Sequence, residues 1–332
     1  MNNLNVVRVA RAAFSKRETG IIVAFLALCL VFALIAPGFA NLTNLLNIGR
    51  QVAILGILAC GLGTVMISGN IDLSIGAIYG LTSVLVAMML SAGLDTGFAI
   101  LLGLLVGMAA GALNGFFVVK TGVNSFIATF GMSYILRGIA LIITSGYPIT
   151  LALKGVTNET HPVFHFIGQG YFLGLPMQFI FLLIVVLITY FILHRTILGT
   201  HIFAIGGSER AAYVSGVKVG RVRMFTFIFS GVLASLSGIL SLSFIGSVIP
   251  TAGTGMEFDV FAAVIIGGTS MSGGIGSVVG MMVGVLIFGV IRNGLVLLGV
   301  TAFWQTLIIG IITIGAVVYD SMVQRSRARM GG

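Results

Sequence analysis

From Gly20 onward the sequence passes from one long apolar stretch to the next, with short polar joints between them. A helix needs about 20 apolar residues to cross the hydrocarbon core of a bilayer. Stretches of that kind fall at 20–37, 52–69, 73–90, 97–119, 125–145, 172–193, 224–245, 257–271, 275–299 and 303–320. The stretch 257–271 is short and rich in glycine, and a broken or re-entrant helix is expected there. Only 8% of the 332 residues are charged, whereas a soluble domain carries about 25%. With a mean hydropathy of +1.18, the chain has too little polar surface to cover a soluble core. The fold class is all-α, a polytopic membrane protein of about ten transmembrane helices. The expected organisation is a basic N-terminus at 1–19, a transmembrane domain at 20–320 and a basic tail at 321–332.

The net charge of +9 reads as an orientation signal, because cytoplasmic loops collect Lys and Arg. With the N-terminus inside, the inner segments hold Arg8, Arg11, Lys16, Arg17, Lys120, every cation between 194 and 223, and Arg325, Arg327 and Arg329. The outer loops hold only Arg50 and Lys154. Both termini are therefore expected in the cytoplasm, and the basic balance calls for no nucleic acid. The first stretch resembles a signal peptide, since Gly38-Phe39-Ala40 follows it. It exceeds the usual signal core of about 7–15 residues, so an uncleaved span is expected. Cys29 and Cys60 lie in apolar stretches and read as small packing residues, with no disulfide framework and no metal site. In the outer segment 146–171, His161 and His165 have a helical spacing that zinc could use. Pro162 stands between them and no third ligand is near, so a solvated loop facing an external partner is the better reading.

One long polar interruption stands apart, His194 to Arg223. It carries Arg195, Arg210, Lys218, Arg221 and Arg223 against a single acid, Glu209. Its middle, GGSERAAYVSGV, has Gly206 and Gly207, a capping residue in Ser208, then helix formers ending at Gly216. That pattern reads as a short helix outside the bilayer, on the cytoplasmic side, where a separate energy-supplying protein grips the membrane domain.

An internal repeat is visible. GALNGFFVVKTGV at 111–123 resembles GVIRNGLVLLGVT at 289–301, sharing the pairs Asn114-Gly115 and Asn293-Gly294. Upstream of each lies an acidic break, GNIDLSIGAIYG at 69–80 and GMEFDVFAAVIIGG at 255–268. On the expected topology the two copies are inverted, and transporters place substrate sites at the interface of such repeats. Ionisable groups within a membrane are expensive, so Asp72, Glu257 and Asp259 are functional candidates. They cap or hinge helices, or they line a path together with Asn70, Ser74, Asn114 and Asn293. Arg137 and Arg292 fall inside spans and either pair with these acids or snorkel to an interface.

The chain lacks a phosphate-binding loop. Lys120-Thr121 is preceded by Val119, where that loop requires glycine. No Ser/His/Asp or Cys/His set is evident either, which leaves a membrane-embedded enzyme without a nucleophile. Trp304, at a span boundary, reads as an interfacial anchor.

The stretch GTHIFAIGGSERAAYVSGVKVGRVRMFTFIFSGVLASLSGIL, with GTGMEFDVFAAVIIGGTSMSGGIGS, resembles the permease subunits of bacterial sugar ABC importers of the ribose, xylose, arabinose and galactose group. IDLSIG at 71–76 and NSFIATFGMSYILRGIA at 124–140 are similar to the same family. The likeness covers about residues 20–320 and is most specific at 199–276. The chain departs from the pattern at Ser208, where asparagine is usual, and at Val217, where isoleucine is commoner. The resemblance implies an inner-membrane permease working as a homodimer or a heterodimer with a paralogue. An ATP-binding cassette ATPase subunit lies below it and a periplasmic or extracellular sugar-binding protein above. ATP and magnesium would sit on the ATPase, and this chain would bind no cofactor. By position, Gly206, Gly207, Ser208, Glu209, Arg210, Ala211, Ala212 and Gly216 form or flank the coupling helix. Recognition would rest with the binding protein, leaving the permease path permissive. The alternative from another class is an ion- or proton-coupled secondary transporter of a small polar solute, driven without a partner ATPase.

Overall fold

The computed structural model describes residues 16–330 of the chain. Arg8 and Arg11 of the basic N-terminus lie outside the described residues. The helices are α1 (Lys16–Ile35), α2 (Leu42–Ile67), α3 (Ile75–Ser91), α4 (Thr96–Lys120), α5 (Ser125–Thr144), α6 (Pro162–Gln169) and α7 (Met177–Arg195). They continue as α8 (Ile197–Gly207), α9 (Glu209–Val214), α10 (Val219–Ile245), α11 (Met256–Ile266), α12 (Val278–Leu297) and α13 (Ala302–Met330). Two short antiparallel pairs complete the fold. β1 (Ile149–Thr150) pairs with β4 (Ser247–Val248), and β2 (Tyr171–Phe172) with β3 (Leu175–Pro176).

The polar joints between apolar stretches start the helices. Asn41, Asp95, Asn124 and Ser277 each accept a backbone N–H in the first turn of α2, α4, α5 and α12, each cap stabilising its helix by about 1 kcal/mol. Every one of the apolar stretches carries a helix. Among the described residues, six helices, α2, α4, α5, α7, α10 and α12, are long and apolar enough to cross a membrane. Helix α11 has 11 residues, which at about 1.5 Å per residue reaches about half of a 30 Å hydrocarbon core.

Helix α10 is the centre, packed against α2, α3 and α4. The contact with α4 is backbone-close. Gly103, Gly107, Gly111 and Gly115 recur every fourth residue along α4, and a Cβ on Gly107 would overlap the Ser235 hydroxyl and the Gly231 carbonyl. Small residues permit such approach where lipid supplies no hydrophobic drive between helices. Helix α3 packs on α4 and α5, and α11 on α12 and α13. The outward faces of α5 and α7 expose Phe126, Ile127, Ile142, Leu187 and Phe191, as lipid-facing surfaces do.

Hydropathy misplaced several boundaries. Helix α2 begins at Leu42 where 52 was expected, so Arg50 stands within a helix and not in a loop, and α10 begins at Val219 where 224 was expected. The stretch starting at 172 opens with the β2–β3 hairpin, and α7 begins only at Met177. The interruption 194–223 contains two helices, α8 and α9, where one was expected.

Candidate functional site

Helix α2 ends at Ile67 and α3 starts at Ile75, leaving 68–74 as a non-helical break inside the bundle. Asp72 is fully buried there. Its Oδ1 accepts from the Ser74 N–H at 3.0 Å and the Ser74 hydroxyl at 2.7 Å, and its Oδ2 accepts from Ser230 of α10 at 2.9 Å. The Asn114 amide of α4 donates to Ser74 Oγ at 2.7 Å. Asn70 donates to the Ser68 carbonyl and hydroxyl at 3.3 and 3.2 Å. The free N–H groups of Ile71 and Leu73 donate to Ser125 and Thr129 of α5 at 3.1 and 3.0 Å. Buried polar groups of a break are tolerable when paired in this way, and in this cluster the side-chain carbonyl of Asn114 is left without a partner. The cluster ties the break to α4, α5 and α10.

The other acids stand in the first turn of α11. Glu257 receives two hydrogen bonds from Arg137 Nη2, at 3.1 and 3.2 Å. Asp259 faces Arg292 Nη1 at 3.5 Å. Both intraspan arginines are thus paired with an acid of the same half-helix. Arg137 also donates to the Thr254 hydroxyl.

A cavity of about 920 Å³ opens between the N-terminal part of α2 and the C-terminal parts of α10 and α12. Its polar wall is built from amides: Asn44, Asn47 and Gln51 of α2, Gln178 of α7, Asn293 of α12 and Gln305 of α13. Asn44 and Asn293 exchange two hydrogen bonds of 2.9 Å. The Tyr79 hydroxyl donates to Ser241 at 2.5 Å. Arg50 donates to the Tyr171 hydroxyl, with its guanidinium 5.0 Å from the Tyr171 ring and 5.3 Å from that of Phe244. The lining contains no carboxylate among the described residues. Of the path candidates, Asn293 lines this cavity. Asp72, Ser74 and Asn114 meet one another in the break, Asn70 lies beside them, and Glu257 and Asp259 meet the arginines. Asn44, Gln51 and Gln178 were missed by a search for charge. The readable signal was the spacing 44, 47, 51, which puts three amides on one face of α2.

The interruption 194–223 folds back on the bundle. Ser208 ends α8 and caps α9, accepting the Ala211 N–H at 3.3 Å. Glu209 receives both Nη groups of Arg223, at 2.9 and 2.7 Å, tying α9 to α10. Gly216 closes α9 with φ +84°, a conformation that glycine adopts without strain. Ala212 is buried beneath α9, whereas Arg210 and Ala211 are exposed and Tyr213 and Val214 are 73% and 79% exposed. Gly207 is exposed and Gly206 half-buried. A Cβ on Gly206 would overlap the Ile67 carbonyl and the Gly274 N–H, and Gly274 itself donates to Ile67 at 2.9 Å. The end of α8, the end of α2 and the loop before α12 therefore meet backbone to backbone. The arrangement offers an exposed helical knuckle linked directly to the break that holds Asp72.

The family described as branched-chain amino acid transport system / permease component matches residues 44–317. A ribose import permease protein of Bacillus subtilis is 42% identical over 88% of this chain and 89% of its own length. The ribose import permease protein of Escherichia coli K12 is 37% identical over 91% and 93%, and the D-allose transport system permease protein of the same strain is 36% identical over 89% of both. No solved structure matches. Matched over most of its length by the family and by these relatives, the chain belongs to the branched-chain amino acid transport system / permease component family.

Proposed function

We propose that this chain is the permease of a binding-protein-dependent ABC importer that moves a pentose- or hexose-class sugar across the bacterial inner membrane. The energy comes from ATP hydrolysed by a partner subunit, and the permease works as a pair with a sugar-binding protein outside. The reading rests on one observation above others. The α8–α9 knuckle exposes Tyr213 and Val214 while its base touches the end of α2. It is built to pass a push from a partner to the helices that wall the cavity. The ribose and allose transport named for the relatives supports a sugar, and so does a cavity lined by amides.

Charge placement supports a cytoplasmic knuckle and an outward-facing cavity. The parallel packing of α3 on α4 and α5, and of α11 on α12 and α13, supports two inverted repeats. Asp72, Ser74 and Asn114 then belong to the hinge of one repeat, and Glu257 and Asp259 to that of the other.

Deleting 206–217 is expected to abolish ATP-dependent uptake with membrane insertion preserved, and normal uptake in that variant would sink the proposal. Purification in mild detergent should bring down a P-loop ATPase at about equal stoichiometry. Uptake that ceases with an uncoupler but persists without any ATPase would point instead to the ion-coupled class.

A further inference from the structure

The lipid-facing side of α7 carries a shallow groove of about 610 Å³. Leu187, Ile188, Tyr190, Phe191 and Ile192 line it, and its one charged residue is Arg195, in the last turn of the helix. Leu187, Phe191 and Arg195 follow one another at intervals of four, so they share one face of α7. Leu187 and Phe191 are 67% and 61% exposed. From Leu187 to Arg195 the helix rises about 12 Å, close to the depth of one leaflet in a hydrocarbon core of about 30 Å. An apolar track of that length that ends in a cation has the polarity of a phospholipid, tail first and headgroup last.

The cation is uncompensated. Arg195 is exposed and makes no hydrogen bond or ion pair among the described residues. No acid stands between it and Glu209, and both Nη groups of Arg223 already occupy Glu209. A guanidinium stays charged and matches a phosphate through paired N–H donors. At the end of a membrane span, headgroup phosphates are the anions within reach, and basic side chains there favour anionic lipids. We infer that the elbow between α7 and α8 is a binding site for an anionic phospholipid, with one acyl chain along the groove and the phosphate on Arg195. The headgroup then rests where the chain turns. Thr196 donates to the Ile192 carbonyl at 2.6 Å and caps α8 by accepting the Gly199 N–H at 3.2 Å. The site does not depend on the importer reading, and the proposed orientation decides merely which leaflet supplies the lipid.

The test uses the full chain reconstituted in phosphatidylcholine bilayers. Leu187→Trp is the fluorescent reporter, in a Trp304→Phe background, since Trp304 is the one tryptophan of the chain. Phosphatidylglycerol or phosphatidylcholine with brominated acyl chains is added as a minor component and quenches the reporter on contact. Brominated phosphatidylglycerol should reach half-quenching at about one fifth of the mole fraction that brominated phosphatidylcholine needs, the equivalent of about 1 kcal/mol. Arg195→Gln should remove that difference, and Arg195→Lys should restore part of it. Ile135→Trp, mid-span on the exposed face of α5, is the control and should show no preference. Equal quenching by the two lipids overturns the inference and leaves α7 an ordinary lipid-facing helix. A preference that survives Arg195→Gln overturns it, as does an equal preference at the α5 reporter, which needs no Arg195 variant to fold. If sodium phosphate abolishes the preference where sodium chloride of the same ionic strength does not, Arg195 holds a free anion and the lipid site is overturned. None of these readouts involves transport, so ATPase co-purification decides separately whether the importer reading stands.

Discussion

Asp72 and Glu209 are both acids with good partners, yet they belong to opposite regimes. Asp72 is buried and accepts three hydrogen bonds from serines. Glu209 is exposed and forms a fork with Arg223. Replacing Asp72 by alanine strands three donors in the bundle, and hydrogen bonds to a charged group are worth about 1.5–3 kcal/mol each. Asp72→Ala is expected to lose most of its folded yield in detergent, measured as the monodisperse fraction. Glu209→Gln breaks a surface pair worth about 0–1 kcal/mol, so its melting temperature should barely move. Its ATP-driven uptake should nevertheless fall, because α9 is no longer held to α10. A Glu209→Gln variant with full uptake would remove that pair from the coupling route. At this scale the acids were readable from the sequence, since eight Asp and Glu residues in 332 can each be inspected. The cavity was not, because its wall is made of uncharged amides scattered over α2, α7, α12 and α13. Only the folded chain shows which amides converge.

Among the elements, α4 and α10 form the tightest contact, and it depends on the absence of side chains. Gly107→Leu would drive a branched side chain into the Gly231 carbonyl and the Ser235 hydroxyl. The helices would have to separate, and we expect a clear loss of melting temperature and of membrane-inserted protein. Gly131→Ala, on α5 with open space around it, is the control and should leave both unchanged. Apolar stretches located the helices because hydropathy reports what a segment prefers to be surrounded by. Hydropathy does not report continuity. The hairpin at 171–176 is therefore invisible to it, whereas the half-length α11 showed itself as a short, glycine-rich stretch. The backbone of the hairpin finds its partners within itself, Tyr171 opposite Pro176 and Phe172 opposite Leu175. The additional helix of the interruption 194–223 escaped for a related reason. Ile197–Gly207 is apolar enough to read as the edge of a span.

For the whole molecule, the proposed orientation rests on the placement of charge. Tyr213→Cys, in a background lacking Cys29 and Cys60, should react with a membrane-impermeant maleimide only when the cytoplasmic face is open. Leu173→Cys, at the exposed tip of the β2–β3 hairpin, should react in intact cells with the outer barrier opened. Labelling in the opposite sense would invert the proposed topology.

The glycine contact beneath the knuckle has a mechanical consequence. Where helices meet through side chains, a displacement of one can be absorbed by rotamer changes in the other. Between Gly206, Ile67 and Gly274 the facing atoms are backbone, and backbone has no rotamers to give. The joint therefore behaves as a stiff linkage with almost no lost motion: whatever stroke α8 receives arrives at the end of α2 nearly undiminished. A single methyl group at Gly206 would act as a shim, setting the resting position of the whole train before any force is applied.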